Sequence, residues 1–139
     1  MPWQEYNPSP IAGNGVDCTV RALTKALNIS WEKAYTMLAV NGFAMGDMPS
    51  ANHVFNATMR QNGFKRYIIP DSCSDCYTAE DFAEEHPEGI YVLAFGDHVC
   101  AVVDGTIWDS WDSRWRVPMF YWEKASKDSK HTDDNSQQS

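Results

Sequence analysis

The 139-residue sequence has few basic residues, no long apolar run and no repeat. Eleven lysines and arginines stand against nineteen aspartates and glutamates, a net charge of -8. An acidic chain repels phosphate backbones and its charges are scattered with no long basic block, so nucleic acid is not expected as a partner. No apolar stretch approaches the roughly 20 residues a membrane-spanning helix needs. The opening residues Met1 to Glu5 hold neither a basic cluster nor an apolar segment, so no secretory leader is expected. A reducing, cytoplasmic setting follows as the expectation, with the four cysteines Cys18, Cys73, Cys76 and Cys100 as free thiols.

Hydrophobic residues make up 43 % of the chain and include six tryptophans, enough to fill one core. Residues 1–125 read as one domain. Residues 126–139, made of Ser, Asp, Lys, Gln and Asn with little else, read as a disordered polar tail. Residues 1 to 17 are rich in Pro, Gly and Asn and read as an irregular lead-in.

Asp17 is placed to cap a helix from Cys18 to Asn28 carrying Val20, Leu23 and Leu27 on one stripe. Ser30 caps a second helix, expected to stop at Asn41-Gly42, with a loop from Met45 to Pro49 after it. A third helix is expected from Ser50 to Asn62. Strands are expected at 66–69, 90–95, 99–103, 106–110 and 117–122. A short helix is expected behind the capping box Thr78-Ala79-Glu80-Asp81. Gly96-Asp97 and Asp104-Gly105 are read as turns. Helices first and strands afterwards predict an α+β domain, with N-terminal helices packed on one face of a C-terminal antiparallel sheet.

Two residues carry the chemistry in this reading. Cys18 opens the first helix, where backbone N–H groups and the helix dipole stabilise a thiolate and a developing oxyanion. A small buried cysteine with no chemistry is the plain alternative. Arg21, one turn on, either adds positive charge or simply pairs with Asp17. His98 follows the Gly96-Asp97 turn. If Asp104-Gly105 is a two-residue hairpin turn, Ala101 faces Trp108, Cys100 faces Asp109 and His98 faces Trp111. His98, Cys100, Asp109 and Trp111 then share one face, and Asp109 lies diagonal to His98. A carboxylate on one imidazole nitrogen fixes the tautomer, so the other can take a thiol proton. A register slip of one residue would separate them. Asp112 is the rival carboxylate, on the opposite face of a regular strand.

Cys18 on a helix start, His98 on a strand and Asp109 on the next strand resemble papain-like cysteine peptidases. The segments Asp17-Cys18-Thr19-Val20-Arg21-Ala22-Leu23, Gly96-Asp97-His98-Val99 and Asp104 to Asp112 are similar to a group of short phage and bacterial proteins of that type. The similarity runs from about Trp3 to Lys124. It implies a papain-like fold, with Cys18 as nucleophile, His98 as general base and acid, and Asp109 as the orienting residue. Papain-like peptidases usually place a Gln about six residues before the Cys as an oxyanion donor. Here that position is Ala12, and Asn14 is the nearest substitute, ahead of Asn7 and Gln4.

The expected activity is hydrolysis of a peptide or isopeptide amide through a thioester, on a peptide or protein substrate. No cofactor and no metal are called for. Trp111 is expected to shield the His–Asp pair, and Met45 and Met48, with Phe43, either to line a substrate groove or, as the commoner role, to pack. Two other readings stand beside it. One is an inert papain-like module that grips a host or viral protein. The other is a metal-binding protein built on Cys73 and Cys76, whose two-residue gap suits zinc or iron–sulfur chemistry but which lacks a second pair.

Overall fold

The computed structural model describes residues 3–9, 17–69, 77–96 and 98–125. Ten elements follow in order: β1 (Trp3–Glu5), α1 (Cys18–Leu27), α2 (Trp31–Met45), α3 (Asn52–Gln61), β2 (Phe64–Ile68), α4 (Ala79–Glu85), β3 (Ile90–Ala94), β4 (Val99–Val103), β5 (Thr106–Asp109) and β6 (Phe120–Lys124). The fold class is α+β.

The first helix forms where its apolar stripe predicts, with Val20, Leu23 and Ala26 buried. It ends on Asn28 in the left-handed conformation, φ 57°, which Asn tolerates because its short side chain bonds locally. In α2, Ser30 caps through a hydrogen bond from the Lys33 N–H. The helix does not stop at Asn41-Gly42 but continues to Met45 and closes on Gly46 at φ 71°. Gly42 acts as a contact residue instead. A Cβ there would lie 2.8 Å from the Asp47 carbonyl oxygen, so its bareness lets the returning chain pass. The capping box at Thr78 and Asp81 is complete, with both reciprocal hydrogen bonds made.

The six strands form one sheet in the order β1-β5-β4-β3-β6-β2. The sheet is mixed rather than purely antiparallel, because β1 runs parallel to β5. Sequence reading missed β1, since three residues between prolines carry no strand period. It forms because the β5 edge offers partners: the Tyr6 N–H donates to the Asp109 carbonyl (2.7 Å), and the Trp3 indole donates to the Trp111 carbonyl (2.9 Å).

Helices cover both faces, which corrects the one-face expectation. Alternation along β3 explains it. Val92 joins Trp122 and the buried stripes of α1, α2 and α3 on one side. Tyr91 and Leu93 pack with Phe82 and Ala83 of α4, and with Val102 and Ile107, on the other. Among the described residues, no helix is long and apolar enough to cross a membrane.

The β4–β5 hairpin has the expected register: Val103 opposes Thr106, Val102 opposes Ile107 and Ala101 opposes Trp108. Asp104 (φ 50°) and Gly105 (φ 80°) form its turn. Positive φ at both central residues gives the turn a twist that matches the strands. A Cβ on Gly105 would also lie 3.2 Å from the Pro87 Cα. Gly105→Ala is expected to cost about 1–2 kcal/mol of stability, the penalty of a left-handed L-residue, read as a lower urea midpoint. An unchanged midpoint would mean the turn is not held as described.

Candidate active site

The site gathers where the start of α1 meets the ends of β4 and β5. Cys18 is the first residue of α1 and is partly exposed. The neighbouring Asp17 stands at the N-cap position, but its side chain makes no cap hydrogen bond. Its carboxylate accepts from Arg21 Nη1 (2.7 Å) and from Trp31 Nε1 (2.8 Å) instead. The first-turn N–H groups beside Cys18 are thus left to acceptors other than Asp17.

His98 Nε2 is hydrogen-bonded to Asp109 Oδ2 at 2.7 Å. With Nε2 committed, Nδ1 is the ring nitrogen left to face the Cys18 thiol, which is near enough for His98 to lower its pKa. The three side chains named from sequence are therefore brought together in the order thiol, imidazole, carboxylate. The diagonal placement of His98 and Asp109 follows from the hairpin register. Trp111 also lies where the register puts it, with its ring 4.9 Å from the imidazole and tilted by 34°. Phe95 also stacks on the imidazole, at 6.0 Å with the ring planes 15° apart, and the Arg116 guanidinium lies over both aromatic rings, 5.0 Å from Phe95 and 5.9 Å from Trp111.

Asp109 is fully buried, at 0 % exposure. Its Oδ2 also accepts from Ser113 Oγ (2.9 Å), and its Oδ1 accepts from the Ser110 N–H (2.8 Å). Arg21 Nη2 lies 3.5 Å from Oδ1. Sequence reading did not single out Ser113. It reaches Asp109 from the irregular segment after β5, where no period predicts direction. Arg21 carried a legible signal, being three residues from Cys18 on one helix face. It does both things weighed for it, pairing with Asp17 and placing positive charge near the thiol.

Electrostatics favours charge separation across the pair. Burial opposes ionisation of Cys18. The hydrogen bond from His98, the Val99 N–H and the positive charges of His98 and Arg21 outweigh it, leaving the thiol below its ordinary range. Burial likewise opposes the imidazolium of His98, but hydrogen bonds to Asp109 and Cys18, together with their charges, carry its pKa up to about 9.

Other sequence candidates fall elsewhere. Cys100 is wholly buried, and that burial pushes its thiol well up, so it stays neutral. Asp112 is bonded to Arg114, with Oδ2 2.8 Å from Nη2, and does not orient His98. Met45 and Met48 are exposed. Met45 ends a helix whose first residue, Trp31, bonds Asp17. At about 1.5 Å per residue, Met45 is about 21 Å along the helix from there, so the two methionines are not brought to the thiol. Gln4 Nε2 donates to the Glu5 carbonyl, and Asn7 Oδ1 accepts from the Ser9 N–H. Asn14, Cys73, Cys76 and the 126–139 tail lie outside the described residues. A shallow groove of about 460 Å³ between α2 and α3, lined among others by Lys33, Met37, Val40 and Gln61, shares no residue with this site. Within it the Asn41 amide is already spent on Thr58 and Gln61.

The raised His98 pKa makes a stability prediction. The ordinary imidazole value, about 6.5, applies in the unfolded chain. The folded value is higher, so protonated His98 adds stability in full below pH 6.5, and this is lost as pH rises through about 9. Asp109→Asn removes the chief attraction. The stability gap between wild type and Asp109→Asn, from urea unfolding, should be widest near pH 6 and narrow toward pH 9. A gap independent of pH would contradict the ion pair.

No family model matches this chain, and neither a curated protein nor a solved structure matches it.

Proposed function

We propose that this protein is a cysteine hydrolase of papain-like fold that cleaves an amide, peptide or isopeptide, through a thioester. The observation that carries the reading is the His98 bridge. One imidazole nitrogen is held at 2.7 Å by a buried carboxylate, while the same ring lowers the pKa of the thiol at the start of α1.

In this reading Cys18 Sγ, as thiolate, attacks the carbonyl carbon. Backbone N–H groups at the start of α1 stabilise the developing oxyanion. His98 gives its proton to the amine nitrogen as the C–N bond breaks, leaving an acyl thioester on Cys18. Neutral His98 then takes a proton from water, which attacks the thioester. The carboxylic acid leaves, and the proton returns to the Cys18–His98 pair. Asp109 holds the ring in one tautomer through its hydrogen bond to Nε2. Trp111 and Phe95 pack on the imidazole, whose hydrogen bond to Asp109 is buried.

Alkylation by iodoacetamide, followed by mass spectrometry, tests the proposal before any substrate is known. Cys18 should label at pH 6 at least tenfold faster than Cys100. His98→Ala should remove that advantage, because a thiolate–imidazolium pair needs both members. Slow labelling of Cys18 at every pH, or labelling indifferent to His98, would reject the enzyme and favour a module that binds without cleaving. Once a substrate is found, His98→Ala should lower kcat by about 10²–10⁴, the usual share of a general acid–base.

A further inference from the structure

Arg21 is the least expected residue near the site. It is 1 % exposed, although it sits on the face of α1 that packs against the sheet. A guanidinium stays charged in any protein setting, and burying it is costly unless partners are supplied. It has two. Nη1 bonds Asp17 Oδ1 at 2.7 Å, and Nη2 lies 3.5 Å from Asp109 Oδ1. Asp17 is itself fixed through its other oxygen by the Trp31 indole.

Two features argue that this is more than core filling. First, Asp17 occupies a cap position yet gives its carboxylate to Arg21 and Trp31 and makes no cap hydrogen bond. Second, Arg21 and Cys18 are three residues apart on one helix. The rod that carries the nucleophile therefore also carries the charge that faces Asp109 Oδ1, the carboxylate oxygen away from His98. His98 and Ser113 hold one oxygen of Asp109, while Arg21 and the Ser110 N–H hold the other. Without the guanidinium, a fully buried carboxylate would face a single cationic partner, and that partner must give up its proton during catalysis.

We infer that Arg21 is a positioning residue, which keeps Asp109 an oriented carboxylate when His98 is neutral and ties it to the helix bearing Cys18. The inference rests on the Cys18–His98–Asp109 reading above. Two routes lead to one sign when the charge is removed. By the first, Cys18 loses a neighbouring positive charge. By the second, Asp109 loses its tie to α1 through Oδ1, and its hold on the His98 imidazolium weakens. Either way the thiolate forms at higher pH.

The test is the full pH profile of Cys18 alkylation in wild type, Arg21→Met, Arg21→Gln and Arg21→Lys, with folding checked by circular dichroism. The thiolate limb in Arg21→Met should move up by about one pH unit, so labelling at pH 6 falls about tenfold. Arg21→Gln should move it in the same direction, and Arg21→Lys, which keeps a charge, should recover most of the shift. A filler of the core would alter stability without moving the limb. Folded Arg21→Met or Arg21→Gln with the wild-type profile overturns the inference, as does loss of folding in both. An early limb that Arg21 variants leave in place removes this inference alone. A wild-type chain with no early limb removes the hydrolase reading, and this inference with it.

Discussion

The buried carboxylate of Asp109 is the constraint around which this site is arranged. A fully buried anion is tolerable only with hydrogen bonds or opposite charge on both oxygens. Here the ring of His98, the hydroxyl of Ser113, the N–H of Ser110 and the guanidinium of Arg21 supply them. These donors come from four places: the start of β4, the segment after β5, the residue next to Asp109 itself, and the second turn of α1. Satisfying one carboxylate thus fixes the relative placement of the hairpin and the first helix, and Cys18 rides on that helix.

The rest of the fold serves this junction. Among the described residues the sheet continues past β5 through β1, whose last residue pairs with Asp109, and the Tyr6 N–H closes the Asp109 carbonyl. On the side of the later strands, the segment after β5 is tied to α4, because the Ala79 and Glu80 N–H groups donate to the carbonyls of Arg116 and Arg114. The segment bearing Ser113 and Trp111 is therefore held at both ends. Helices on both faces leave β3 and β4 almost entirely buried, so they resist the shifts of register that would part His98 from Asp109.

Much of this was legible in the sequence, where local chemistry has a fixed period. The Asp104-Gly105 turn set the hairpin register, and the register alone put His98, Asp109 and Trp111 together. Cys18 was legible from the helix start behind Asp17. Three things were not legible. The edge strand β1 is too short to show alternation and exists only through β5. The run of α2 past Gly42 depends on a close return of the chain at Asp47 and Pro49, which no propensity encodes. The placement of α4 on the second face, and of Ser113 beside Asp109, comes from tertiary packing. Asp17 shows the same limit: its type and position read as a cap, whereas a buried arginine and an indole compete for its carboxylate and win.

The most direct test of this account is the titration of His98 by NMR of its imidazole nitrogens in the intact protein. The account predicts an imidazolium at neutral pH that loses its proton only near pH 9, with the Nε2–H signal shifted by its bond to Asp109. An imidazole that titrates near its ordinary value of about 6.5, with no bonded Nε2 proton, would contradict it.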